Sequence, residues 1–486
     1  MEVLAHLKPE LIWKHFEDIC QVPRPSKQED KIIKFLLDFA DKHDLDAKRD
    51  DIGNVLITKP ASSGYENRKT VVLQSHMDMV CEKNKDVEID FNKDPIVPFV
   101  DGDWVKAKGT TLGADDGIGI AVQMALLGSD EFEHPRLECL FTVDEETGLT
   151  GAFALKPGFF DGKILINLDS EDEGEIFIGC AGGIDTNARF TYKKKTVPEN
   201  HVAIKIEVDG LRGGHSGDEI HKDLGNANKI LTRFLTQAYD DYKVRLSHFD
   251  GGNKRNAIPR EAHAVVCVDQ KYAADLKNDF EGFASIIKEE NGKREPNMKF
   301  SVSDTEMPEF VLNKKVQKAL LRSVYACPHG VHTWSPDIEG MVETSTNLAS
   351  VKFVEDDQIE IVTSQRSSLE SGKKDISTMV ASVFKLAKAK VQHSAGYPGW
   401  APNPDSEILR ISEKSYEKLF KKKPVVRAIH AGLECGLFLE KYPYLDMISI
   451  GPTIKNAHTP DEKVSIETVQ MWWEHTLDIL KRIPEK

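Results

Sequence analysis

The chain has 486 residues, of which 40% are hydrophobic and 29% charged, and its 64 basic and 79 acidic residues give a formal net charge of −15. That length predicts two or three domains; the composition is that of a soluble globular protein, and the acidity excludes non-specific nucleic-acid binding as the main role. Seven scattered cysteines without a Cys-x-x-Cys pair read as free thiols. With no signal-peptide pattern and no run apolar enough to span a bilayer, they point to a reducing cytoplasm and no membrane partner.

Residues 9–20 read as a helix with Leu11, Ile12, Phe16 and Ile19 on one side. Ser26 and Glu29 have the spacing of a capping box, opening a second helix through Ala40. A turn at 50–54 leads to a strand at 55–58, which Pro60 stops. Val71, Val72 and Leu73 then start a buried strand that ends at Gln74-Ser75-His76-Met77-Asp78. A histidine and a carboxylate therefore emerge at the C-terminal end of a strand, the edge at which open α/β sheets bind ligands. Alone, His-x-Asp at such a junction is weak evidence.

The arrangement recurs. Leu112-Gly113-Ala114-Asp115-Asp116 turns into an apolar helix over 117–127, where Asp115 also fits a simple helix cap. A strand at 137–143 runs into Asp144-Glu145-Glu146, and one at 163–168 into Asp169. Near the C-terminus a strand at 447–452 leads to His458. Two histidines and four or five carboxylates, each beside a structured element, suit zinc, manganese or cobalt. Adjacent acids such as Glu145 and Glu146 are normally solvated, but their position after an apolar strand argues against that here.

Residues 179–183 read as a flexible junction, and 187–398 as an inserted unit. Within it, strands near 202–208 and 262–268 and helices at 226–239 and 271–290 form one α/β round. Strands near 298–302, 346–353 and 358–364 and helices at 313–326 and 377–387 form a second, end to end with the first. The chain then returns to the first domain, with helices at 408–419 and 468–483 and a strand at 424–429. P-loop, nucleophile-elbow, dinucleotide and His-Glu-x-x-His patterns are absent from the sequence.

His76-Met77-Asp78, Gly113-Ala114-Asp115-Asp116, Asp144-Glu145-Glu146, the strand end at Asp169 and His458 together resemble the M20 dizinc metallopeptidases in order and spacing, along almost the whole chain. Gly213-Gly214-His215-Ser216-Gly217, Arg255-Asn256-Ala257-Ile258-Pro259-Arg260 and His430-Ala431-Gly432-Leu433-Glu434-Cys435-Gly436 are similar to the cytosolic aminoacyl-histidine dipeptidase (carnosinase-like) branch. The resemblance implies an α/β fold: an aminopeptidase-like catalytic domain (1–186 and 399–486) interrupted by an inserted α+β lid domain (187–398). It implies two Zn²⁺ ions, with Mn²⁺ or Co²⁺ as substitutes. His76 and Asp169 would hold one ion, Glu146 and His458 the other, and Asp115 would bridge them. It further implies a cis peptide bond between Asp115 and Asp116, Asp78 orienting His76 through its other ring nitrogen, and Glu145 as general base. His215 would donate to the developing oxyanion, Asn256 and Arg366 would hold the substrate's C-terminal carboxylate, and Glu434 would meet its free amine; His430 is read as structural. The expected reaction is hydrolysis of small dipeptide substrates, Xaa-His and β-Ala-His among them. The alternatives are an N-acyl amino acid deacylase or amidohydrolase of the same family, and a non-catalytic metal- or peptide-binding relative. Whether His215 acts within one chain or across a homodimer stays open.

Overall fold

The structure, a computed structural model, describes residues 3–486. It divides into two compact units, one of Met1–Gly179, Pro402–Ala428 and Leu433–Lys486, the other of Cys180–Ala401 and Ile429–Gly432. The first division falls before the expected 186/187, because the glycine-rich segment taken for a flexible junction is the start of the strand Gly182–Thr191. The inserted unit also takes a short later segment, Ile429–Gly432, for which the sequence gives no cue.

The first unit is built on an eight-stranded sheet. From edge to edge it runs Asp46–Arg49, Val55–Lys59, Leu137–Thr142, Val71–His76, Ile164–Asn167, Asp446–Ser449, Glu175–Cys180 and Val425–Ile429. The four strands from Leu137–Thr142 to Asp446–Ser449 are mutually parallel. Three of them are buried at every position, as their unbroken apolar runs require of strands covered on both faces. The helix Ala114–Gly128 is apolar on nearly every side and packs against Val71–His76 and the helix Glu10–Cys20. Because the central strands are parallel, their C-terminal ends share one edge. His76, the Asp144-Glu145-Glu146 turn, Asp169 and the segment leading to His458 all leave the sheet there.

The capping box expected at Ser26 and Glu29 does not form: the helix Asp30–Lys42 has no side-chain cap. The Glu29 carboxylate instead accepts from the amides of Lys27 (2.9 Å) and Asp144 (3.0 Å). A polar stretch follows Met79. It carries a hairpin, Pro98–Asp101 with Trp104–Ala107, in a four-stranded sheet with Ile454–Lys455 and Lys463–Ser465.

The second unit holds one nine-stranded sheet, and its recorded pairings are antiparallel. Its order is Lys299–Asp304, His201–Asp209, Ala262–Asp269, Arg245–Gly251, Val342–Val354, Gln358–Ser367, Gly182–Thr191 and Lys390–His393, with Gly330–Trp334 beside Val342–Val354. The two α/β rounds expected end to end are therefore halves of one sheet, joined where Gly251 pairs with Val351. Four helices, Ala227–Tyr242, Ala273–Asn291, Lys314–Ala326 and Glu370–Leu386, bury Leu231, Leu276, Leu320 and Val380 in a single apolar core with that sheet.

Candidate metal centre

At the shared strand edge the first unit gathers seven of the expected site residues. His76 ends its strand with Nε2 3.0 Å from Asp115 Oδ1 and 3.3 Å from Asp169 Oδ1. His458 approaches from the other end of the chain, with Nε2 3.0 Å from Asp115 Oδ2 and 3.1 Å from Glu146 Oε2. Asp115 thus offers one oxygen to each of two three-ligand groups, His76, Asp115 and Asp169 on one side and Asp115, Glu146 and His458 on the other. The peptide bond between Asp115 and Asp116 is cis, as the resemblance implies.

The donor set fits metal ions. Zinc–nitrogen and zinc–oxygen bonds of about 2.0–2.1 Å in a tetrahedron put neighbouring ligand atoms about 3.3 Å apart, close to the separations observed. Glu146 Oε1 is buried without a hydrogen-bond partner, which a cation would repair. The groups compete for protons in the meantime. Hydrogen bonds to Asp115 and Glu146 push His458 up to about 11. Burial opposes the charge of His76, but the Asp169 charge and hydrogen bonds to Asp115 and Asp169 outweigh it and hold the ring well above its usual value. Burial lifts Asp169 to about 7.

Asp78 is fully buried behind His76. Its Oδ1 lies 3.3 Å from His76 Nδ1, outside hydrogen-bond geometry for that nitrogen. The same oxygen accepts from the amide of Glu145 (3.0 Å), and Oδ2 from that of Glu146 (3.3 Å). One carboxylate therefore fixes the turn carrying both glutamates and lies against the ring of His76. That turn, Glu145–Gly148, lies between two left-handed residues, Asp144 (φ 50°) and Leu149 (φ 55°). Asp144 stabilises it by accepting from the hydroxyls of Thr147 and Thr150. Burial raises the Glu145 carboxyl well above its usual range, with Asp169, Glu434 and Glu146 adding to the rise.

The Glu434 side chain is fully buried. Its Oε2 accepts from Gln74 Nε2 and Thr142 Oγ1, both at 2.7 Å, while Oε1 is buried without a partner. Burial pushes its carboxyl up to about 8. The physical reason is its position at the start of the helix Glu434–Lys441, which directs it at the strand interior beneath the site.

The remaining expected residues belong to the second unit. His215 pairs with Ala257 in a two-stranded ladder, beside exposed Asn256, whose carbonyl accepts from the Ser216 amide (2.8 Å). Its Nδ1 lies 3.0 Å from Asp218 Oδ2. Arg366 is 7% exposed within the strand Gln358–Ser367, donates from Nη1 to Tyr397 Oη (3.0 Å), and keeps Nε buried without a partner. His430 contacts Ser345 Oγ at 2.7 Å, and burial holds it neutral, down to about 3.

Sequence reasoning missed Arg24, Gln74, Thr142 and Glu462, all buried around the ligand-bearing loops. Each acts on a partner distant in sequence, and no local pattern marks them. Among the described residues the seven cysteines form no disulfide.

Comparison with known proteins agrees with this geometry. The chain is 44% identical over 486 residues, the full length of both, to the cytosol non-specific dipeptidase of Escherichia coli K12. It superposes with a TM-score of 0.93 on the crystal structure of aminoacylhistidine dipeptidase from Vibrio alginolyticus, at 44% identity over 99% of this chain and 98% of that one. The aminopeptidase PepT of Bacillus cereus, at 17% identity over 98% of this chain and 99% of that one, shares the fold with a TM-score of 0.58. The model of peptidase family M20/M25/M40 matches residues 72–481, and the chain belongs to that family.

Proposed function

We propose that this protein is a metal-dependent dipeptidase that hydrolyses its substrate with a water activated at a two-metal site. The observation that carries the reading is Asp115, whose two oxygens each stand 3.0 Å from a different histidine. His76 and Asp169 would hold one ion, Glu146 and His458 the other, with Asp115 common to both. Zinc is the proposed native pair, with manganese or cobalt as substitutes. Bound ions of this kind lower the pKa of water and polarise the scissile carbonyl.

The chain's own residues do the rest. Glu145, on the turn fixed by Asp78, takes the proton from the attacking water and passes it to the leaving amine nitrogen. Asp78 holds the His76 ring and both glutamate amides in place. In the second unit, Arg366 is a buried cation with an unpartnered donor, suited to a substrate carboxylate; Asn256 shares that task, and His215 donates to the developing oxyanion. Substrates are dipeptides, Xaa-His and β-Ala-His among them. A cytosolic location fits the name of the Escherichia coli relative, and among the described residues no helix is long and apolar enough to cross a membrane.

The test is hydrolysis of β-Ala-His, Ala-Ala, N-acetyl-His and a tripeptide by metal-stripped protein and after Zn²⁺ or Mn²⁺ is restored. Metal-dependent cleavage of free dipeptides is expected. Cleavage of N-acetyl-His alone would make the protein a deacylase, and no turnover with two ions bound would end the peptidase reading.

A further inference from the structure

Asp115 and His458 are 343 positions apart in sequence, yet their side chains meet at 3.0 Å. Among the described residues, Glu462 is a buried group that touches both loops. Glu462 lies four residues after His458 and is 2% exposed. Its Oε2 accepts from the amides of Leu112 (2.8 Å) and Gly113 (3.0 Å), and its Oε1 from those of Ala114 (2.7 Å) and Asp115 (3.4 Å). Four consecutive N–H groups leading into the bridging aspartate thus converge on one carboxylate. At its own end, the Glu462 amide donates to Thr459 O (3.0 Å). The Thr459 hydroxyl donates to Asn456 O (2.8 Å) and accepts from the Asp461 amide (3.2 Å), closing the turn that carries His458.

The opposite face of the same loop is gripped by a buried cation. Arg24 donates from Nη2 to Gly113 O and from Nη1 to Met77 O (3.1 Å) and Asp78 O (2.8 Å). Gly113 is left-handed (φ 70°), and a Cβ there would stand 2.6 Å from that guanidinium, so the loop closes onto Arg24 only with glycine. Arg24 holds the loop from the other face, and Glu462 ties its amides to the turn that carries His458.

We propose that Glu462 is a positioning residue for the second ligand group: it locks the Leu112 to Asp115 amides and the His458 turn together, so that Asp115, Glu146 and His458 are preformed to receive an ion. This rests on the two-metal reading above. A carboxylate that merely capped a loop would stabilise the fold without favouring one ion. A positioning carboxylate makes the affinity for one ion depend on it, by about 10–100-fold, the usual cost of losing a group that orients metal ligands.

The experiment titrates metal-stripped protein with Zn²⁺ by calorimetry, comparing wild type, Glu462→Gln, His458→Ala and Glu138→Gln. Glutamine keeps the shape but offers one acceptor oxygen where two are used. Glu138 is the control: a carboxylate equally buried whose Oε2 accepts from the Asp161 and Gly162 amides (both 2.9 Å) and which touches no metal-ligand loop. The expected result is two binding steps in wild type. In Glu462→Gln the step that His458→Ala abolishes weakens by about 10–100-fold, the other step moves far less, and turnover recovers as Zn²⁺ is raised. Glu138→Gln leaves both steps unchanged. Two unaltered steps in folded Glu462→Gln, or equal weakening of both, would overturn the proposal. If Glu462→Gln does not fold, Thr459→Val, which loosens the same link at an exposed residue, decides: selective weakening of that step supports the proposal and no change refutes it. A wild type that binds a single ion would instead remove the two-metal reading, and this inference with it.

Discussion

Replacing Asp78 with asparagine probes the centre without touching a ligand. The side chain is fully buried, and its two oxygens serve three groups: the amides of Glu145 and Glu146 and the ring of His76. Burial opposes its charge, but the His76 ring and the Glu145 amide outweigh that and hold its carboxyl below the usual range. Asparagine retains one oxygen. Its NH₂ would face a backbone N–H or a histidine nitrogen, so at least one amide loses its acceptor. Hydrogen bonds to a charged group contribute roughly 1.5–3 kcal/mol, and at about 1.4 kcal/mol per tenfold this matches the ~10–100-fold loss typical of groups that orient metal ligands. The loss should fall on kcat, because the turn holding Glu145 is what shifts, with KM for a dipeptide little changed. Steady-state kinetics at saturating Zn²⁺, with the melting temperature as a control, reads both. Unchanged kcat in a folded Asp78→Asn protein would refute the role assigned to this carboxylate.

Metal affinity should rise with pH. His76 and His458 both have raised pKa values in the metal-free set, so each carries a proton at neutral pH that an incoming ion must displace, and raising the pH removes that competition. Calorimetry in buffers of different ionisation enthalpy should show proton release, with affinity climbing by about one log unit per pH unit for each proton displaced; uptake independent of pH would contradict it. Arg366→Ala should raise KM by roughly 10–100-fold for dipeptides with a free C-terminal carboxylate, the worth of a charge-assisted bond, and leave the poorer C-terminal amides unaffected. Gly451→Ala should cost about 1–3 kcal/mol in thermal unfolding, because a Cβ there would stand 1.6 Å from Ser170 O, beside Asp169 and at the end of the strand leading to His458; an unchanged melting temperature would contradict the packing described.

The residues proposed as ligands and base stood out in the sequence because each closes an element with its own signal. An unbroken apolar run marks a central parallel strand, and whatever follows its last residue lands on the shared edge. His76, Glu145, Glu146 and Asp169 are all placed that way, and Asp115 by the apolar helix it precedes. What the sequence hid is work done between distant segments. Glu462 reads as one acid in a polar turn, yet its partners lie about 350 positions earlier. Glycine also misled. Gly182 and Gly183 look like a hinge, but they sit in a strand against the Tyr397-Pro398-Gly399 backbone, where a Cβ on Gly182 would meet Gly399 N at 2.5 Å. The two α/β rounds of the second unit were each recognisable from strand alternation. Their fusion into one sheet depends on a pairing at Gly251 that no local pattern encodes. The surroundings of Glu434 were not legible either, since its partners Gln74 and Thr142 come from two other strands.

The central claim is that Glu145 moves the proton while the ligand set around it holds the ions. Glu145→Gln tests it most directly, by counting bound Zn²⁺ and measuring β-Ala-His and Ala-Ala hydrolysis on the same sample. The account predicts two ions bound, as in wild type, with kcat reduced by about 10²–10⁴-fold. Full activity with both ions in place would contradict it.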